Sequence, residues 1–225
     1  MKTNLVLLSG LLSNKVLWQH QTLHLSDLAA IQIISSSQDT PKKMVQAILK
    51  EAPAKFALAG HSMGGWLCLE VMRAAPSRVS KLCLLNTTAR SDSQEKKNRR
   101  QEMVQKAQRG EFPKVVEEIV DALVFNPLVK DAVRKMFLGM GSDVFIHQEL
   151  SMLQREECQS ILPTIACPTL VIHAGCDKNF FLEEHKELVN QIRDAKLAIV
   201  DDSGHMSPME MPQAITTLLR YWLSY

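Results

Sequence analysis

Short apolar runs recur along the chain, separated by stretches in which apolar residues fall three and four positions apart. The runs Asn4–Leu8, Ala29–Ile34, Phe56–Ala59, Lys81–Leu85, Thr169–His173 and Leu197–Val200 predict six β-strands. They are nearly continuous in apolar residues and lack the alternation of a strand with one wet face, so both sides are expected to be covered. Pro41–Glu51 predicts a helix that opens at a proline and carries Met44, Val45, Ile48 and Leu49 on one face. A helix starting at Met63 is apolar nearly all round and is expected to be buried. Leu182–Ile192 and Ala214–Trp222 predict two more helices. Strand–helix alternation of this kind specifies an α/β fold: a mostly parallel sheet of about six strands with helices on both faces.

The alternation breaks between about residues 90 and 160. One stripe there is Val115/Val116, Ile119/Val120 and Leu123/Val124; another is Val129, Val133, Met136/Phe137 and Met140. Helix following helix between two strands of a parallel sheet reads as an all-helical cap insert over the carboxyl ends of the strands, where such sheets bind ligands. The expected organisation is a first core part at 1–89, a cap at 90–160 and a second core part at 161–225. Residues 90–157 hold 12 Lys+Arg and 12 Asp+Glu. The basic run Lys96-Lys97-Asn98-Arg99-Arg100 is therefore expected to be a solvated helix face.

Composition adds exclusions. A net charge of +2 with 22% charged residues gives no general attraction to nucleic acid or to a membrane surface. The five cysteines show no C-x-x-C spacing, and Cys68 and Cys83 fall inside expected core elements. Free buried thiols suit a reducing compartment, so a cytoplasmic location is expected. Met1-Lys2 followed by Leu5–Leu8 has the look of a secretory leader. However, the apolar run ends at Ser9-Gly10 with no A-x-A-like site after it, and a buried strand is the expected reading. No stretch reaches the roughly 20 apolar residues of a membrane span. A monomer and a homodimer fit equally well, and no cofactor or metal is expected.

Chemistry concentrates at Gly60-His61-Ser62-Met63-Gly64, a Gly-x-Ser-x-Gly sequence between a strand-like and a helix-like run. A serine on such a turn projects its hydroxyl from the sheet beside the first amides of the helix. The flanking glycines are expected because side chains there would strike the neighbouring strand and helix. A serine hydroxyl becomes a nucleophile when a base takes its proton, and an imidazole does so best when oriented by a carboxylate. His205 follows the last expected strand, and Asp177 lies four residues beyond the strand ending at His173. One helix and one strand separate their loops, which returns both to the edge that carries Ser62. Asp201 and Asp202 sit on the histidine's own strand end and approach it poorly; Asn86-Thr87-Thr88 offers no carboxylate. His20, His24, His147 and His185 are expected at the surface, His173 in the core, and the His61 side chain is expected to point away from the serine. Two amides should face the developing oxyanion: that of Met63, after the serine, and that of Leu11, in the Ser9-Gly10-Leu11-Leu12 loop.

With these residues in place, the chain resembles the α/β-hydrolase superfamily nearly end to end. The resemblance is carried by Leu5-Val6-Leu7-Leu8-Ser9-Gly10 with Trp18, by Gly60-His61-Ser62-Met63-Gly64-Gly65, by Pro168–His173 leading to Asp177, and by Ser203-Gly204-His205 with Glu210 and Pro212. It is greatest to small capped carboxylesterase-type members, whose relatives include pimeloyl-carrier-protein methyl esterases, C–C bond hydrolases and cofactor-free haloperoxidase-like esterases. It implies Ser62 as nucleophile, His205 as base, Asp177 as its orienting acid, and Leu11 and Met63 as oxyanion donors. Ser9-Gly10 stands where the family usually has His-Gly, and Ala174-Gly175 shifts the glycine usual before the acid. The expected activity is hydrolysis of carboxylic esters with a small to medium apolar part. A C–C bond hydrolase or lyase using the same residues would be favoured by cap arginines facing a carboxylated substrate. Arg99, Arg100, Arg134 and Arg155 are the candidates, although each also reads as a surface residue. A hydrolase-fold binding protein without turnover is the alternative outside enzymes.

Overall fold

The computed structural model describes residues 2–225. Within them, the six strands β1 (Thr3–Leu8), β2 (Ala29–Ile34), β3 (Phe56–His61), β4 (Val79–Leu85), β5 (Thr169–Ala174) and β6 (Ala195–Val200) form one sheet, ordered β2-β1-β3-β4-β5-β6. All neighbouring pairs are parallel. The chain runs outward from β1 to β2, then returns so that β3 pairs with the free edge of β1. Helices consequently lie on opposite faces either side of this point, leaving a crevice beyond the carboxyl ends of β1 and β3.

Intervening helices are α1 (Gln19–His24), α2 (Pro41–Glu51) and α3 (Met63–Ala74), then α4 (Gln94–Lys106), α5 (Phe112–Leu123), α6 (Lys130–Met140) and α7 (Ser142–Leu153). After β5 come α8 (Leu182–Gln191), α9 (Ser207–Glu210) and α10 (Pro212–Ser224). Alternate residues of the buried strands serve two cores. Val6, Leu8, Leu58, Leu82 and Leu84 pack against α2, α3 and α8. Leu5, Leu7, Ala57, Cys83 and Leu85 join Ile215, Leu219 and Trp222 of α10 and the apolar faces of α5 and α6. Both stripes read from the sequence are the buried faces: Val115, Val116, Ile119 and Val120 on α5, and Val133, Met136 and Phe137 on α6.

Two departures have local causes. The six-residue α1 is too short to show a helical period, and it is stitched to the carboxyl-terminal region by Gln21, whose Nε2 donates to the carbonyls of Pro208 and Pro212. Between α4 and α5 the helix widens over Ala107–Glu111 to i→i+5 bonding and turns at Gly110, whose φ of 83° only glycine adopts without cost. All five cysteines are free thiols, with Cys68 and Cys83 buried. Among the described residues, no helix is long and apolar enough to cross a membrane.

Candidate active site

Strand β3 ends at His61, and α3 begins at Met63, leaving Ser62 alone to turn the chain. Its backbone sits at φ 57°, ψ −118°, a region that non-glycine residues occupy at a cost of about 1–3 kcal/mol. Packing holds it there. The Ser62 amide donates to the Leu85 carbonyl at 2.9 Å, and Thr87 Oγ1 donates to the Ser62 carbonyl at 2.9 Å. A Cβ on Gly64 would lie 2.3 Å from the Leu8 carbonyl oxygen, so α3 comes this close to β1 only because residue 64 has no side chain.

The loops after β5 and β6 deliver Asp177 and His205 to the same edge. His205 Nδ1–H donates to Asp177 Oδ2 at 2.7 Å, and Ser62 Oγ–H donates to His205 Nε2 at 2.8 Å. The imidazole and its carboxylate partner are nearly buried, at 3% exposure for His205 and 6% for Asp177. Asp177 Oδ1 is occupied separately, accepting from the amides of Asn179 at 2.8 Å and Phe180 at 3.4 Å. Burial alone would raise the Asp177 pKa. The His205 charge, its hydrogen bond and the two amides outweigh that, holding the carboxyl below its ordinary range. Asp201 and Asp202 are exposed and make no ion pair with His205.

Leu11 and Met63 line the same cavity as Ser62 and His205. The loop carrying Leu11, where serine replaces the family's usual histidine, is pinned by Gln148 of α7. That buried side chain accepts from the Leu12 amide at 2.8 Å and donates to the Ser36 carbonyl at 2.7 Å. Glu210 holds the histidine loop, accepting from the amides of Asn126, Gly204 and Met206 at 2.9, 3.0 and 3.1 Å. Asn86 ties the two loops together. From a left-handed backbone (φ 46°), its Nδ2 donates to the His205 carbonyl at 2.8 Å and to Ser207 Oγ at 2.9 Å, while its Oδ1 accepts from the Ala174 amide at 3.1 Å.

The His61 side chain makes no hydrogen bond to the Ser62 hydroxyl: its Nε2–H donates to the His205 carbonyl at 2.7 Å, and burial drives its pKa down to about 3, so it is a neutral strut. Several expectations need correction. His185 is not at the surface but fully buried against His173, where burial lowers its pKa to about 4. Arg155 is 3% exposed, and Arg100 turns inward to Asp92 and Glu149 instead of lying on a solvated face. Of the four arginines considered, Arg99, Arg100 and Arg155 line the cavity; Arg134 is bonded to Glu117 and Asp131 away from it. Among the described residues, no group of three or more His, Cys, Asp or Glu side chains is arranged to hold a metal ion.

Residues 6–217 match the family model described as the alpha/beta hydrolase family. The chain belongs to this family. A curated alpha/beta hydrolase superfamily protein of Bacillus subtilis, YisY, is 28% identical over 80% of this chain and 71% of its own length. A pimeloyl-[acyl-carrier protein] methyl ester esterase of Nitrosospira multiformis is 23% identical, covering 97% of this chain and 94% of that protein. Among solved structures, a thermophilic esterase from Thermogutta terrifontis with malate bound superposes with a TM-score of 0.89 at 25% identity, covering 100% of this chain and 90% of that one. As an alpha/beta hydrolase, the chain has its serine turn at the carboxyl edge of the sheet, beside the switch point between β1 and β3.

Proposed function

We propose that this alpha/beta hydrolase is a serine esterase that cleaves carboxylic esters through an acyl-enzyme on Ser62. The observation that carries this reading is the continuous hydrogen-bonded line from Asp177 through His205 to Ser62 Oγ. Ser62 Oγ attacks the ester carbonyl while His205 Nε2 takes its proton; Asp177 fixes the Nδ1–H tautomer and stabilises the imidazolium. Charge gathering on the carbonyl oxygen is met by the amides of Leu11 and Met63. His205 then returns the proton to the departing alcohol, and a water activated by the same nitrogen releases the acid and restores Ser62.

In this reading residues 90–160 form the cap, whose α4, α5 and α7 close a cavity of about 160 Å³ over the serine. Small-molecule pockets ordinarily enclose about 300–1,000 Å³, so a cavity of this size favours a compact acyl or alcohol part. The printed activity of the Nitrosospira relative, a methyl ester esterase, supports the ester class. Three arginines against the cavity keep a C–C bond hydrolase as the second reading. A panel of p-nitrophenyl esters of increasing chain length, run beside a C–C hydrolase substrate, separates the two. Short esters are expected to be preferred, and turnover of the C–C substrate alone would refute the esterase.

Activity should fall as pH falls, because a protonated His205 cannot accept the serine proton. Asp177, held below its ordinary range, stays ionised, while His61 (about 3) and His185 (about 4) stay neutral. None of these three groups is therefore expected to add a second ionisation to the acid limb of kcat/KM above about pH 5. A two-proton slope would contradict this. For Asn86→Ala we expect kcat to drop about tenfold or more with KM little changed, because the loops carrying Asp177 and His205 lose their shared anchor. Steady-state kinetics with a melting curve checks it.

A further inference from the structure

The cap side of the cavity is charged, and its lining holds four cationic side chains against two carboxylates. Arg100 is neutralised within the protein: its Nε donates to Asp92 Oδ2 at 2.6 Å and one terminal nitrogen to Glu149 Oε2 at 2.7 Å. Those are the two carboxylates of the cavity lining, which also contains Lys96, Arg99 and Arg155. Lys96 and Arg99 are exposed, where water screens them. Arg155 is not. Its guanidinium lies over the Trp66 ring, 5.5 Å from the centroid, and one terminal nitrogen donates to the Thr88 carbonyl. Its Nε is buried without a partner, and no ion pair among the described residues includes it.

A guanidinium presents five N–H donors in a fixed fork. Burial lowers the Arg155 pKa to about 10, which leaves it cationic at neutral pH. A buried cation with no counter-ion is costly, and proteins supply a partner charge when they bury one. Here Asp92 offsets the charge from beyond ion-pair distance but is hydrogen-bonded to Arg100, so the Arg155 Nε–H is left without a partner beside the cavity that holds Ser62. Trp66 stands four residues after Ser62, so the rise of α3 puts it only about 6 Å along the helix from the serine.

We propose that Arg155 binds a carboxylate carried by the substrate, so that the ester cleaved at Ser62 is a carboxylated one: a half-ester of a short dicarboxylic acid or an ester of a short hydroxy acid. The assignment rests on the esterase reading. The planar fork of Arg155 matches a carboxylate in two parallel hydrogen bonds. Exposed Lys96 and Arg99 add a positive field that draws the anion inward.

Proton release measures kcat/KM for two matched pairs. Monomethyl succinate against methyl 4-methylpentanoate places the carboxylate on the acyl side; 3-acetoxypropanoate against 3-methylbutyl acetate places it on the alcohol side. At least one charged ester is expected to exceed its neutral isostere about tenfold or more, the scale of a hydrogen bond to a charged group. Arg155→Met should bring that ratio close to one, Arg155→Lys should retain part of it, and Arg134→Gln should leave it unchanged. A preference absent in both pairs, or one that survives Arg155→Met, would overturn the assignment. Should no ester of either kind be hydrolysed, the esterase reading fails separately, and calorimetric titration of the unmodified protein decides the carboxylate site. Succinate binding without succinamide binding upholds it; equal binding, or none, refutes it.

Discussion

Replacing Ser62 by alanine is expected to lower kcat for p-nitrophenyl acetate by about 10⁵- to 10⁶-fold, the scale on which loss of a nucleophile removes covalent catalysis. The fold should persist. The Ser62 amide bond to Leu85 and the Thr87 bond to the Ser62 carbonyl are made to backbone atoms, which alanine keeps. What disappears is the one oxygen hydrogen-bonded to His205 Nε2. Kinetics together with a melting curve tests both halves, and a folded variant retaining more than a tenth of the rate would remove Ser62 from the mechanism.

Asp177→Asn is expected to cost about 10⁴-fold in kcat while leaving the structure intact, and the reason is a tautomer. Asp177 Oδ1 accepts from the Asn179 and Phe180 amides, so the carbonyl oxygen of an asparagine would take that side. Its NH₂ would then face His205 Nδ1, which must become the acceptor. The ring proton moves to Nε2 and points at Ser62 Oγ, where a base is needed. Asp201→Asn and Asp202→Asn, both at exposed positions, should change little. If either of those caused the loss instead, the acid would be misassigned.

Much of the scaffold was legible because parallel strands covered on both faces must be apolar throughout. Runs such as Leu5–Leu8 and Leu170–Ile172 announce themselves, and Pro41 marks the start of α2 to the residue. Ser62, Asp177 and His205 were legible as a set for a topological reason: in a parallel sheet every strand ends at the same edge, so residues just past β3, β5 and β6 converge. The supporting polar residues were not. Gln148, Asn86 and Glu210 are buried polar side chains whose partners lie far along the chain, at Leu12, Ala174 and Asn126 among others. Local pattern cannot distinguish them from solvated positions. Arg155 and His185 misled for the same reason, since a charged residue at a helix end and a histidine in a charged helix each look like surface. Glu210 left the clearest trace, in the Gly-His…Glu spacing of the family resemblance.

The central claim is that Ser62 is an activated nucleophile. Treating the intact protein with a fluorophosphonate probe and mapping the adduct by mass spectrometry tests it most directly. A single adduct on Ser62, lost in His205→Ala, is the predicted result. No labelling of the folded protein, or labelling of Ser62 that proceeds as fast without His205, would contradict it.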